Sequence, residues 1–233
     1  MKKEILGIKI DDVTLAQSIQ IIKDWLSKTG KYYITTPNPE LIVLAQKDEE
    51  LKSIINNSDL AIPDGNGLKL SGDIVCNTPG IDLMEELIRA LSNWGFTTGF
   101  LGGRDEVAKR VAKCLKKKYP KLKITFADSG GEVDKQGVQF NKKSFLPKTD
   151  VLFVAFGQPK QEKWIAKNLD KLPIKIVMGV GGSFDYIADS IPRAPKWVRN
   201  LGFEWLFRLI IQPGRIKRQL RLLKYIWLLV SHN

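Results

Sequence analysis

Two short polar segments of the sequence each follow an apolar run and contain the side chains best suited to chemistry. Residues 34–40 read Ile-Thr-Thr-Pro-Asn-Pro-Glu, and residues 62–67 read Ile-Pro-Asp-Gly-Asn-Gly. In an open α/β sheet, ligands bind at the carboxyl ends of the strands. Asp64, held between a proline and a glycine, is therefore our first candidate for a catalytic carboxylate. The alternative is that Asp64 caps a helix beginning after Gly65.

The composition restricts the acid–base and metal chemistry open to this chain. The single histidine, His232, is the penultimate residue, and the two cysteines, Cys76 and Cys114, are far apart in the sequence. These facts argue against a catalytic triad, a histidine base and a thiolate metal site. The sequence also lacks an Asp-x-Asp motif. We expect carboxylates, Lys, Tyr or the substrate itself to transfer protons, and basic side chains instead of a metal ion to stabilise any leaving diphosphate.

Glycines and a polar helix start follow three further apolar runs. Gly102 and Gly181 stand in the segments Leu-Gly-Gly-Arg and Gly-Val-Gly-Gly-Ser, which either bring backbone amides to a diphosphate or make tight turns. Neither segment matches Gly-x-Gly-x-x-Gly, so glycine alone does not decide between the two. Gln161 follows the most apolar run, either where a ligand would lie or in a solvated first helical turn.

Alternating strands and helices must position these side chains. The predicted strands are residues 5–10, 31–36, 60–62, 97–101, 122–127, 151–156 and 174–180. Helices are predicted to start near residues 14, 38, 81, 104 and 160, and Asn38 followed by Pro39 has the residue types of an N-cap and first helical position. This alternation predicts an α/β fold with a mainly parallel sheet and helices on both faces.

The C-terminal segment differs in composition from the rest of the chain. The chain has a net charge of +12, yet from Arg193 onward it carries nine Lys or Arg against the single acid Glu204. Residues 216–230 place apolar side chains at spacings of three and four, with cations on the opposite side. Such a helix is typical of a membrane interface, and the alternative is a solvated amphipathic helix that packs on the body of the protein. We therefore predict two parts, residues 1–192 and a basic amphipathic appendage of residues 193–233, whose partner is anionic.

Segments along the whole chain resemble the WecG/TagA/CpsF glycosyltransferases. The similar segments are Thr36-Pro37-Asn38, Pro63-Asp64-Gly65-x-Gly67, Gly80-Ile81-Asp82-Leu83, Gly157-x-Pro159-Lys160-Gln161-Glu162, Gly179-Val180-Gly181-Gly182-x-Phe184-Asp185, Arg193-Ala194-Pro195 and Glu204-Trp205-Leu206-x-Arg208-Leu209. Any one of these is weak, but seven in order with suitable spacing are specific. The family pattern has an Arg where this chain has Asn77, and residues 67–80 form a shorter segment than in the family.

The resemblance implies a Rossmann-like fold and an activity. It implies inverting, metal-independent transfer of an N-acetylmannosamine-type sugar from a UDP-sugar to polyprenyl-diphosphate-linked N-acetylglucosamine, without a cofactor, in teichoic acid or polysaccharide synthesis. It also implies that the appendage docks on the membrane. By position, Asp64 would be the general base, Thr36 would be catalytic with it, and Thr36, Asn38 and Gln161 would line the pocket. The other residues implied to bind substrate are Asp185 at the uridine and Arg215, Arg218 and Arg221 at the diphosphate.

The predicted protein is thus a cytoplasmic glycosyltransferase attached peripherally to the inner face of the membrane. The N-terminus lacks the apolar run of a signal peptide, and no segment approaches the length of apolar residues that a membrane-spanning helix needs. We expect no nucleic acid partner and leave a homo-oligomer open. The alternatives are a related transferase with another UDP-hexose or lipid acceptor, and a non-catalytic nucleotide-binding module whose basic tail holds nucleic acid.

Overall fold

The computed structural model describes residues 2–104, 106–140 and 146–231, and within these ranges the side chains of residues 200, 215 and 217–219 fall outside the description. The strands are β1 (Lys2–Ile5), β2 (Ile8–Asp11), β3 (Tyr32–Thr35), β4 (Leu60–Ala61), β5 (Thr97–Gly102), β6 (Lys123–Asp128), β7 (Glu132–Val133), β8 (Gln139–Phe140), β9 (Thr149–Ala155) and β10 (Ile174–Gly179). The α-helices are α1 (Leu15–Ser27), α2 (Pro39–Ala45), α3 (Glu49–Asn56), α4 (Gly80–Trp94), α5 (Val107–Lys118), α6 (Lys160–Asn168), α7 (Ser183–Ile187), α8 (Lys196–Asn200), α9 (Glu204–Ile211) and α10 (Ile216–Ser231).

A parallel sheet forms the centre of the molecule. In the described part of the chain, six strands pair in the order β4-β3-β10-β9-β5-β6, and every pairing is parallel. Because parallel neighbours share a direction, the loops after β3, β4, β9 and β10 all leave the same edge of the sheet. The expected α/β fold with a parallel sheet is confirmed.

Apolar clusters cover both faces of this sheet. On one face, residues of α1, α4, α5 and α7 pack against alternate sheet residues such as Phe100 and Phe153. On the other face, Trp164 and Ile165 of α6 pack against Leu152, Val154 and Val177. Strands buried on two faces must be apolar along most of their length, which explains the uninterrupted apolar runs in the sequence.

The local sequence accounts for several helix starts. Thr14 accepts a hydrogen bond from the Gln17 amide, and the Gln17 side chain accepts one from the Thr14 amide, which makes a capping box for α1. Asn38 Oδ1 accepts from the Leu41 amide at 2.9 Å, with Pro39 in the first helical position of α2. The predicted N-cap at Asn38 is therefore confirmed.

The N-terminal strand prediction was only half right. Residues 5–10 do not form one strand, because Leu6 and Gly7 have φ angles of +50° and +76° and turn the chain into the β1–β2 hairpin. Helix α3 and the small β7–β8 hairpin were also missed. Both are short, and eight- and two-residue elements leave little periodicity to detect.

The last three helices, α8, α9 and α10, pack over the edge of the sheet that the loops after β3, β4, β9 and β10 leave. Tyr225 is fully buried and Leu228 is buried, and both join a cluster with Leu41 and Ile42 of α2. Arg221 also forms an ion pair with Glu40 of α2. One side of α10 is thus fixed to the body. Within the described residues, no helix is both long and apolar enough to span a membrane.

Candidate active site

A single wide cleft collects the loops at the carboxyl ends of the strands. Its volume is ≈ 1890 Å³, and its lining includes Thr36, Asn38, Asp64, Gln161 and Asp185. Parallel strand order brings these side chains together from positions as far apart as 36 and 185. The cleft is closed on one side by α8, α9 and α10, which contribute Arg199, Glu204, Trp205, Arg208 and Leu222. The C-terminal segment is therefore part of the cleft wall.

Asp64 lies in a tightly held loop between β4 and α4. Its amide donates to the Pro37 carbonyl at 2.9 Å, which ties this loop to the one after β3. Its Oδ1 accepts from the Gly80 amide at 3.2 Å, at the N-terminus of α4. The capping alternative was wrong in its detail, because the 3₁₀ turn at Asn66–Ser71 receives no side-chain cap. The carboxylate instead faces a long helix whose partial positive charge favours an anion.

Asn77 holds the loop that carries Asp64. Its Oδ1 accepts from the Gly65 amide at 2.9 Å, and its Nδ2 donates to Asn66 Oδ1 at 2.8 Å. The short segment between Gly67 and Gly80 thereby closes on itself beside the cleft. Asn77 thus fixes the backbone of this loop with a neutral amide group.

The environment of Asp64 raises the pKa of its carboxyl group. Burial raises the pKa of Asp64 to about 6, the Gly80 hydrogen bond opposes that shift, and the Glu204 carboxylate reinforces it. Arg208 lowers this pKa and Asp82 raises it, each by a smaller amount. A carboxylate with a pKa near 6 is ionised at neutral pH and is a stronger base than an ordinary aspartate. Asp64 therefore has the acidity that a general base requires.

Thr36 and Asn38 form the wall beside Asp64. Thr36 is buried at the end of β3, and its hydroxyl donates to the Gly179 carbonyl at the long distance of 3.4 Å. Asn38 caps α2 with its oxygen, and its Nδ2 donates to Gln158 Oε1 at 3.2 Å. Both side chains connect neighbouring loops, and both line the cleft.

The predicted glycines have different surroundings. Gly102 lies outside the lining of the cleft, and a Cβ atom there would meet backbone atoms of Ala155 at 2.7 Å, so glycine is required by the packing of β5 on β9. Gly181 lies in the cleft, but its amide donates to Gln161 Oε1 at 3.0 Å. Asp185 lies in the cleft in the first turn of the five-residue helix α7.

Of the three arginines predicted at the diphosphate, Arg221 is the one whose side chain the structure describes. Arg221 pairs with Glu40 and is absent from the cleft lining, although Glu40 belongs to it. The side chains of Arg215 and Arg218 fall outside the description, so their roles stay predictions. Helix α10, which carries Arg218 and Arg221, packs against α2 at the rim of the cleft.

Two other arginines, to which the sequence reasoning gave no role, reach the cleft from the C-terminal segment. Arg208 lies over the Tyr186 ring at 4.6 Å from its centroid, and its Nη2 is 3.5 Å from the Gly182 carbonyl oxygen. Arg193 donates to Asp82 at 2.6 Å and lies 3.5 Å from Glu204. Both stand in motifs recognised in the sequence, so the motifs were the available signal. Their contacts with Tyr186, Gly182 and Asp82 join residues that are far apart in the sequence, so the sequence alone did not show them.

The comparison with known proteins agrees with this geometry. A sequence model described as the glycosyl transferase WecG/TagA/CpsF family matches residues 3–233. The chain belongs to this family. The resemblance drawn from the seven segments is confirmed, and membership in a family of glycosyltransferases favours an enzyme over a non-catalytic nucleotide-binding module.

Two curated proteins from Staphylococcus aureus are similar to this chain over most of its length. The N-acetylglucosaminyldiphosphoundecaprenol N-acetyl-beta-D-mannosaminyltransferase of strain MRSA252 is 33% identical over 224 residues, which cover 93% of this chain and 87% of the relative. The protein of the same name from strain NCTC 8325 / PS 47 is 32% identical over the same lengths. The family match over residues 3–233 includes the cleft and the C-terminal helices.

Proposed function

We propose that this chain transfers N-acetylmannosamine from a UDP-sugar to N-acetylglucosamine linked to a polyprenyl diphosphate, as a step in the synthesis of teichoic acid or another surface polymer. The names of the relatives support the transferred sugar and the acceptor. The observation that carries the proposal in this molecule is Asp64, a carboxylate of raised pKa beside a helix N-terminus in the large cleft.

In this proposal Asp64 is the general base. Its carboxylate takes the proton from the attacking hydroxyl of the acceptor while that oxygen forms a bond to the anomeric carbon of the donor. The bond from the anomeric carbon to the diphosphate breaks, and UDP leaves with the electron pair. A single displacement from the opposite face inverts the anomeric configuration. Asp64 receives one proton per turnover and must return it to solvent.

Cationic and dipolar groups of the protein stabilise the leaving UDP in this proposal. Arg208 lies beside Gly182 in the cleft, and the dipole of α4 adds positive potential near Asp64. No metal ion is required by this scheme, because the guanidinium group supplies the charge that a cation would provide. Metal independence stays a prediction, as do the inverting course and the UDP donor.

We also propose that the C-terminal helices attach the enzyme to the inner face of the cell membrane. The apolar side chains predicted to form one face of α10 are largely exposed, and this exposed apolar stripe comprises Ile216, Leu220, Leu223, Trp227 and Val230. Trp197 and Ile210 on the preceding helices are also exposed. An apolar stripe in a segment with nine cations suits an anionic lipid surface. The same segment forms a wall of the cleft, so docking would bring the acceptor to Asp64.

A transfer assay on vesicles tests this proposal. The purified chain is given UDP-N-acetylmannosamine, a short-chain lipid-diphosphate N-acetylglucosamine and EDTA, and both UDP release and the disaccharide lipid are measured. We expect transfer with EDTA present, inversion at the anomeric carbon, and loss of turnover by a factor of about 10²–10⁴ in Asp64→Asn. Asp24→Asn on the exposed face of α1 is the matched control. Unchanged turnover in Asp64→Asn would remove Asp64 as the base.

A further inference from the structure

A buried glutamate next to Gln161 has no role in the mechanism above. Gln161 and Glu162 open helix α6, and each side chain is only 1% exposed. Gln161 Nε2 donates to Glu162 Oε1 at 2.8 Å, whereas Glu162 Oε2 has no hydrogen-bond partner among the described residues. A buried carboxyl group with only one oxygen hydrogen-bonded weakens a fold. Its presence therefore suggests a role other than stability.

The orientation of the Gln161 amide depends on this glutamate. Gln161 Oε1 accepts from two backbone amides, those of Gly157 at 3.2 Å and Gly181 at 3.0 Å. If the amide were turned over, its NH₂ group would face two N–H donors and its oxygen would face the Glu162 oxygen. Only the observed orientation gives both backbone N–H groups an acceptor and gives the Gln161 NH₂ group an acceptor in Glu162. Glu162 is the acceptor that enforces it.

The bonds from Gln161 join the loops that follow two neighbouring strands. Gly157 follows β9 and Gly181 follows β10, which pair in parallel, and both glycines have positive φ angles of +81° and +49°. A Cβ atom at Gly179 would lie 3.0 Å from Gln161 Nε2, so the side chain fills the space between the loops. Both loops line the cleft, and the Gln161 amide group bonds to both of them just beyond the last paired residues of the two strands.

We propose that Glu162 is a positioning residue for the donor site, acting through the Gln161 amide to fix the spacing of the two loops that receive the sugar nucleotide. The inference rests on the proposed function only in naming UDP as the ligand. In its ionised or its protonated form, Glu162 keeps Oε1 as an acceptor for Gln161. Burial raises the pKa of Glu162 to about 7, and the hydrogen bond from Gln161 opposes that shift.

A competing explanation assigns Glu162 to the packing of β3. The hydroxyl groups of Tyr33 and Thr35 are buried and have no hydrogen-bond partner among the described residues. The pKa of Tyr33 is well above its ordinary value because of burial and of the nearby Glu162 carboxylate. If Glu162 served this strand alone, removal of the Tyr33 hydroxyl would reproduce its loss. Tyr33→Phe separates the two explanations.

A double-mutant cycle tests the inference. UDP dissociation constants, KM and kcat are measured for Glu162→Ala, Glu162→Gln, Gln161→Ala, the double alanine variant and Tyr33→Phe. We expect Glu162→Ala to weaken UDP binding about tenfold, the scale of one hydrogen bond to a charged group. Glu162→Gln keeps an acceptor oxygen and should restore most of that loss. In the Gln161→Ala background, Glu162→Ala should weaken UDP binding no further.

Amide hydrogen exchange tests the inference without any bound UDP or UDP-sugar. Glu162→Ala should speed exchange at Gly157 and Gly181, and Tyr33→Phe should not. Additive losses in the cycle, or equal effects of Tyr33→Phe, would overturn the inference, as would unchanged exchange in Glu162→Ala. If the wild-type chain binds no UDP, the donor assignment fails, and the exchange rates still decide whether Glu162 fixes the two loops.

Discussion

Replacing Asp64 by asparagine should trade activity for stability. In the folded protein, burial raises the pKa of Asp64 from 3.8 to about 6. A carboxyl group whose pKa is higher in the folded than in the unfolded state destabilises the fold when it ionises. This penalty is absent below pH 3.8, grows between that value and about 6, and is complete above it. Asparagine has the same shape, keeps an oxygen for the Gly80 amide and carries no charge.

The size of the effect follows from the shift. A difference of roughly two pKa units corresponds to about 3 kcal/mol, at 1.36 kcal/mol per unit. Because the Asp64 side chain is partly accessible from the cleft, solvent reduces this value, and we expect Asp64→Asn to gain about 1–3 kcal/mol at pH 8. For a chain of this length, 1 kcal/mol corresponds to a Tm change of about 2–4 °C.

Urea unfolding between pH 4 and pH 8 measures this difference. The free energies of unfolding of wild type and Asp64→Asn should converge near pH 4 and separate as the pH rises through about 6. Asp24→Asn, on an exposed helix face, is the matched control. The wild-type kcat/KM should rise through the same pH range, because the base must be ionised. A pH-independent difference, or a less stable Asp64→Asn protein at pH 8, would refute the electrostatic reasoning.

Three further predictions concern the C-terminal helices. Arg208→Ala should raise the KM for UDP-sugar or lower kcat by at least about tenfold in steady-state transfer, because a cation is lost beside the diphosphate; Arg208→Lys should recover only part, and full activity of Arg208→Ala would contradict the role. Arg193→Ala should expose residues near 193–203 to limited proteolysis, since its bonds to Asp82 and Glu204 are lost; unchanged cleavage would show that packing alone holds α8 and α9. Trp227→Glu should abolish sedimentation with anionic vesicles without lowering Tm, whereas Tyr225→Ala, at a buried position of the same helix, should lower the free energy of unfolding in urea by about 3–5 kcal/mol. Vesicle binding by Trp227→Glu would exclude the exposed apolar stripe as the membrane-binding surface.

The sequence determined the architecture because its signals are local. Apolar runs buried on two faces, separated by helices with caps such as Asn38, predict a parallel α/β sheet from residues close to one another in the chain. The amphipathic pattern of α10 likewise identified the exposed stripe. Exclusion of histidine and thiol chemistry left Asp64 as the leading carboxylate, and the structure places it in the cleft.

Only the tertiary structure decided what surrounds that carboxylate. The Gly80 amide is 16 residues away in the chain, and Glu204 and Arg208 come from α9, one of the helices that close one side of the cleft. The pKa of Asp64 depends on burial and on charges from distant segments, so no local pattern could have given it. The same holds for Gln161. The sequence placed it where a ligand would lie, but it did not show its two hydrogen bonds from backbone amides or its bond to the buried Glu162. The sequence determines which side chains are available for chemistry. The order of the strands in the sheet determines which of them lie close to one another.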